Sequence, residues 1–315
     1  MTTAPPAPPA QTAQAPPPPS QQPLFLPGQQ LTPTPDRDRP WRVLTVLLGS
    51  AVVLLLISGL TLATAASWAT GRGYSEVAAT TGLGTPTSLS LTSEVGSVRV
   101  LPSEDVDEVT LALVEPGATA LPPPQETVRA RITRGTDSQG ATAVVSQPQR
   151  YSVLPWMNPS HDLLLLVPVG HELSLDLRAE VGNVMVDGEF DTLSVHADVG
   201  DLVLGPLTAT EKLTATSEVG NIDIELASPA PASVDITAAV GDVDLLLPVD
   251  AGGDVAITAE LGSVDVALPG SARWEVAAES ELGSVDVDRS LTGGTTAVNG
   301  TLTVTSELGG ITVSR

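Results

Sequence analysis

The chain of 315 residues contains no cysteine. Disulfides, thiolate metal centres and cysteine nucleophiles are therefore excluded, and the redox compartment is left open. Lysine is almost absent as well, with Lys212 standing alone beside thirteen arginines. Acidic residues outnumber basic ones 37 to 14, for a formal net charge of −23. A nucleic-acid groove needs a basic patch, so nucleic acid is excluded as a partner. Aromatic residues make up only 3% of the chain, which leaves Val, Leu, Ile and Ala to build the core. The three histidines, His161, His171 and His196, show no metal-ligand spacing. Neither a Gly-x-Ser-x-Gly elbow nor a phosphate-binding glycine loop is present. No nucleophile, base and orienting group can be named together, so the chain reads as a non-enzyme with no cofactor and no assigned catalytic or metal site.

Proline, by contrast, is abundant at the start. Residues 1–42 are rich in Pro, Gln, Ala and Thr, with the run Pro16-Pro17-Pro18-Pro19. Such a segment cannot bury a core and reads as a disordered tail, either a spacer or a docking tail for proline-recognising domains. Val43 to Ala66 is almost wholly apolar and carries no charge. As a helix it would span roughly 36 Å, enough to cross a hydrocarbon layer of ~30 Å with some tilt. Trp41 and Trp68 flank it as interfacial anchors. Arg37, Arg39 and Arg42 precede it and only Arg72 follows closely, so the tail is expected in the cytoplasm and the remainder outside. A cleaved signal peptide ending near Ala63-Thr64-Ala65 is the competing reading; the long preceding region and long apolar run favour an uncleaved anchor. Residues 67–85 read as a linker. Residues 1–42 carry a net +1, so −24 falls on the rest of the chain.

Residues 86–315 repeat one short stretch. Its clearest copy is Ala259-Glu260-Leu261-Gly262-Ser263-Val264-Asp265-Val266, and close copies centre on Gly220 and Gly283. Partial copies centre on Gly96, Gly182, Gly200, Gly241 and Gly309. From Gly182 to Gly309 the intervals are 18, 20, 21, 21, 21 and 26 residues. Apolar or small residues recur three, five and seven positions before the glycine, as in Ala259, Ile257 and Val255, and again two and four after it, as in Val264 and Val266. That is period-2 alternation on both sides of a corner, the pattern of two half-buried strands. The inward position nearest the corner is Ser or Ala, as fits a place where two sheets converge. Glycine at the corner fits a positive φ. The expected fold is all-β: a parallel β-solenoid of two-strand coils about 20 residues long, following the tail and one transmembrane helix. A sandwich of antiparallel hairpins is the alternative, disfavoured by equal spacing and by the lack of Asn-Gly or Asp-Gly corners.

Within 101–178 the pattern is irregular. Glu115-Pro116-Gly117 falls 21 residues after the first corner and is expected to continue a coil. The loop at Tyr151–Pro159, with Trp156, is expected to cover an open end of the sheets or to contact a partner.

Acidic residues fall at fixed repeat positions. Glu94, Glu115, Glu180, Asp198, Glu218, Glu260, Glu281 and Glu307 occupy one, interrupted by Ala239; Asp223, Asp244, Asp265 and Asp286 occupy another. In stacked coils, neighbouring carboxylates would lie about 5 Å apart. Such ladders invite Ca²⁺ bridging, although the doubled-glycine calcium nonapeptide is absent. A screened, solvated face is the other reading.

The recurring Gly-[Ser/Asn/Asp]-[Val/Ile]-x-[Val/Ile] element, with the lead-in Leu163-Leu164-Leu165-Leu166-Val167-Pro168, resembles the bacterial "putative adhesin" domain-of-unknown-function family over residues 86–315. The resemblance implies an extracytoplasmic β-solenoid and supplies no catalytic residues. The expected role is that of a single-pass cell-envelope protein displaying an acidic β-solenoid for adhesion, surface interaction or scaffolding toward an envelope protein or glycan. The alternative is a sensory or regulatory membrane component of an envelope-stress response, signalling through the proline-rich tail.

Overall fold

The computed structural model describes Gly49 and residues 73–137, 140–148, 160–293 and 297–315. The expected tail at 1–42, the span at 43–66 apart from Gly49, and the loop at Tyr151–Pro159 lie outside the described residues. Among the described residues, no helix is long and apolar enough to cross a membrane. All strands among the described residues fall in one compact unit, 62–315.

The unit is all-β, and its strands run along two ladders that meet at the corner glycines. The strand preceding each glycine lies in the first ladder: β3 (Ser88–Ser93), β9 (Ser174–Val181), β13 (Ser233–Val240), β15 (Gly253–Leu261), β17 (Arg273–Leu282) and β19 (Val298–Leu308). The strand following each lies in the second: β4 (Val98–Ser103), β12 (Ile222–Leu226), β14 (Val243–Leu246), β16 (Val264–Ala267), β18 (Val285–Val287) and β20 (Ile311–Ser314). Two long strands, β10 (Val184–Val199) and β11 (Leu202–Val219), cross from the second ladder to the first. Equivalent residues of successive repeats pair in parallel and in register. One row reads Leu193, Leu213, Val234, Val255, Leu302; another reads Ile222, Val243, Val264, Ile311. Antiparallel hairpins do not describe this region.

Alternation places the core as the sequence predicts. Val255, Ile257, Ala259, Val264 and Val266 are each buried, as are their counterparts along both ladders except in the terminal layer, where Val276, Ala278 and Val287 are half-buried and Val285 is exposed. The small inward position holds Ser93, Ala179, Ala197, Ser217, Ala238, Ala259 and Ser306, all buried. Six of the corner glycines are required twice over. Gly182, Gly200, Gly220, Gly241, Gly262 and Gly309 have φ between +140° and +156°, where other residues are strained. A Cβ on Gly200 would also overlap the carbonyl oxygen of Gly182, and the same overlap recurs from corner to corner. Gly283 lies outside that φ range, yet a Cβ there would overlap the Gly309 carbonyl.

Three expectations are corrected. First, the layers are not stacked in sequence order at either end. β19 and β20 insert between β15–β16 and β17–β18, so Leu302 pairs with both Val255 and Val276. At the other end β3 lies between β9 and the later strand β7 (Gly140–Ser146), and β4 between β10 and β8 (Asp162–Pro168). Second, Glu115 ends no coil. It follows β5 (Thr110–Val114), which runs antiparallel to β8 and is buried on both faces, with Ala112 and Val114 against Leu164 and Leu166. Third, the stretch read as a linker contains strands. β1 (Ser75–Ala78) and β2 (Thr80–Gly82) pair antiparallel with β6 (Thr127–Asp137) and β5, and Ala79 between them is buried. These strands are too short for alternation to register. At the opposite end, a four-residue helix α1 (Arg289–Thr292) places Leu291 in the core, which Trp274 also joins. Arg315 holds it there by donating to the carbonyls of Gly270, Ala272 and Ser290.

Candidate functional site

The surface of the stack carries four residue rows, each generated by one repeat position. The residue after the glycine forms a side-chain ladder. Asn183 Oδ1 accepts from the Asp201 N–H at 3.1 Å, Asp201 from Asn221 at 2.9 Å, Asn221 from Asp242 at 3.0 Å, and Asp242 from Ser263 at 2.7 Å. Each short polar side chain thus satisfies the corner amide of the next layer, which explains the Asn/Asp preference there. One Oδ1 of each of these side chains is thereby engaged in the corner.

The second row contains Asp223, Asp244 and Asp265, which are register partners on β12, β14 and β16. Asp286, expected next, is separated from Asp265 by Thr312, because β20 lies between β16 and β18. The three contiguous carboxylates lie on a shallow groove of 430 Å³ bounded by Val203–Gly205 on one side and Thr312 and Ser314 on the other. The Asp244 carboxyl is held above its ordinary value of 3.8, first by desolvation, then by the charges of Asp223 and Asp265 and a hydrogen bond with Asp223. Three carboxylates in a row are a repulsive arrangement that the fold tolerates.

The third row is the glutamate position before the corner. Stack order is Glu180, Asp198, Glu218, Ala239, Glu260, Glu307, Glu281, read from the register on either side. Glu218 and Glu260, both expected in one ladder, are kept apart by Ala239; Glu260 and Glu281 are kept apart by Glu307. Glu115 does not join.

The fourth row is aliphatic, and sequence reasoning gave it no role. Val181, Val199, Val219, Val240, Leu261, Leu308 and Leu282 are register partners immediately before the glycine. Strict alternation would turn them inward. The turn into the corner rotates them out instead, leaving the first six 43–51% exposed and Leu282 70% exposed. The signal in the sequence was the invariable Val or Leu between an outward carboxylate and the corner. The result is an apolar ridge with a carboxylate row beside it, continued through seven layers.

The histidines have separate fates. The His171 ring lies 2.8 Å from the Pro86 carbonyl oxygen, and His161 is held through its backbone by the Gln147 side chain. His196 Nε2 lies 2.8 Å from Asp198 Oδ1. Spacing along the chain gave no metal pattern, yet His196, Asp198 and Glu218 come together across two strands.

No protein-family model matches the chain. No curated protein matches it. Among solved structures it is similar to a "putative cell adhesion protein" of Clostridium sporogenes, at 13% identity and TM-score 0.32, over 76% of this chain and 99% of the other. It is also similar to a "putative adhesin" of Bacteroides fragilis, at 12% identity and TM-score 0.33, over 76% of this chain and 97% of the other. Likeness at this level transfers neither fold nor role.

Proposed function

We propose that the chain is a single-pass cell-envelope protein, with its tail in the cytoplasm, that presents an acidic β-solenoid for adhesion, surface interaction or scaffolding. The solenoid reading rests on in-register parallel pairing between repeats at intervals near 20 residues. The membrane reading rests on the uncharged apolar run 43–66 and the arginines before it.

The observation that carries the function is the exposed aliphatic ridge. Seven half-exposed Val and Leu side chains in contiguous register leave on the order of 500 Å² of apolar surface, the upper end of what a monomer leaves uncovered without a partner. The adjoining carboxylates disfavour self-association along this edge and favour a partner whose apolar surface is rimmed by basic groups.

Cells displaying the full chain should be retained on surfaces coated with envelope material, and the pair Val219→Ser with Leu261→Ser should reduce retention about tenfold, as loss of anchor residues does. Both side chains are already half in water, so the pair should cost about 2 kcal/mol or less and the protein should remain folded at the temperature of the retention assay. Equal retention with and without the chain refutes the reading.

A further inference from the structure

His196 and Asp198 stand two residues apart on β10 and leave the same face of the strand. Glu218 holds the matching position on β11, between the paired residues Ala197–Ser217 and Val199–Val219. One ligand atom from each of the three lies within 4.8 Å of the others. The position corresponding to His196 is Thr216, Thr237, Thr258 and Thr305 in the four layers on one side, Arg178 in the adjoining layer on the other and Glu279 in the terminal layer, so the constellation occurs at one level of the stack.

We propose that His196, Asp198 and Glu218 bind a divalent cation of the borderline class, with Zn²⁺ as its representative. One imidazole nitrogen and two carboxylate oxygens are the donor set that such ions prefer. Ca²⁺ takes about six to eight oxygen ligands and is poorly served here. Bond lengths of about 2.0–2.2 Å require donors roughly 3.4 Å apart around a tetrahedral ion. The 2.8 Å His196–Asp198 contact therefore opens slightly, and the exposed Glu218 side chain closes inward by rotamer adjustment. Neighbouring strands fix all three Cα positions before the ion arrives, and water completes the coordination on the solvent side.

Arg178 is the group that an ion must displace. It pairs with His196 in register on β9, and its guanidinium lies 3.2 Å from the same Asp198 oxygen that faces His196. Its side chain is 55% exposed, so swinging it into water costs little. Glu180 stands on β9 at the position matching Asp198, which keeps the local potential negative.

The test is calorimetric titration of the purified full chain, free of any histidine tag and stripped with chelator, using Zn²⁺ alone and then Ca²⁺ alone. One equivalent of Zn²⁺ is expected to bind. His196→Thr, which installs the residue that Thr216 supplies in the adjoining layer, should abolish that binding. Glu218→Gln should weaken it by at least the roughly 10- to 100-fold that loss of an outer-shell partner costs, and Arg178→Gln should strengthen it. If His196→Thr alters the melting curve, Asp198→Asn is read in the same way. Absence of saturable Zn²⁺ binding, binding unchanged in the ligand variants, or Ca²⁺ binding as tight as Zn²⁺ overturns the assignment.

Discussion

Replacing Asp244 by Asn should make the protein more stable. Asp244 lies between Asp223 and Asp265 as their direct register partner, and strands in a sheet are ~4.8 Å apart. All three side chains are exposed, so a water-like dielectric applies, and each contact then costs about 0.9 kcal/mol before screening. With a screening length of about 8 Å at physiological salt, the two contacts together retain about 1 kcal/mol. The asparagine amide can still donate to Asp223. For a unit of this size the gain corresponds to a rise of about 2–4 °C in Tm.

The pH dependence follows from the raised carboxyl of Asp244. The folded state binds this proton more tightly than the unfolded state does. Its ionisation therefore opposes folding at neutral pH, and stability returns as pH falls through the raised value toward 3.8. The wild-type protein should thus close its gap to Asp244→Asn on mild acidification, and also on adding salt. Thermal melts at two pH values and two salt concentrations measure both effects. Asp286→Asn is the control: with Thr312 interposed, its nearest partner in the row is two strands away, and the change should be close to neutral. A destabilised Asp244→Asn, or a gap that ignores salt and pH, refutes the electrostatic account.

Two further substitutions test the corner and the small inward position. Gly241→Ala combines φ of +145° with overlap onto the Gly220 carbonyl, and should cost about 3 kcal/mol or more in urea unfolding. Ser306→Ala should stabilise by about 1 kcal/mol, because the buried Ser306 hydroxyl has no hydrogen-bond partner and the neighbouring strand β15 places Ala259 at the same level. A lower melting point for Ser306→Ala would mean that the hydroxyl is satisfied after all.

Much of the architecture could be read from local pattern. The glycines, the alternation of Val255, Ile257 and Ala259, and the return of Val264 and Val266 are set by residues close in sequence, and the fold uses them as expected. Stacking order could not be read in this way. Ala259–Val266 and Ser280–Val287 are nearly the same sentence, so periodicity states that layers pair without stating which pairs with which. The acidic rows suffered accordingly: Asp223, Asp244 and Asp265 are contiguous, but Asp286 is not. The aliphatic ridge was missed because a period-2 rule turns Val219 and Leu261 inward, while the corner turns them out. His196, Asp198 and Glu218 were missed because their meeting depends on register between β10 and β11, which no spacing along one strand reveals.

The inserted position of β19 and β20 also constrains how the chain is assembled. A chain emerging in order presents β17 and β18 while β15 and β16 still have an open edge, and the near-identical Glu-Leu-Gly-Ser-Val-Asp-Val segments suit that pairing well. The native slot next to β15 belongs to residues synthesised later. Growth of this end therefore has to wait, or has to undo a plausible neighbour before closing. Arg315, reaching Gly270, Ala272 and Ser290, makes its contacts only once the late layer is seated, and so marks the completed arrangement.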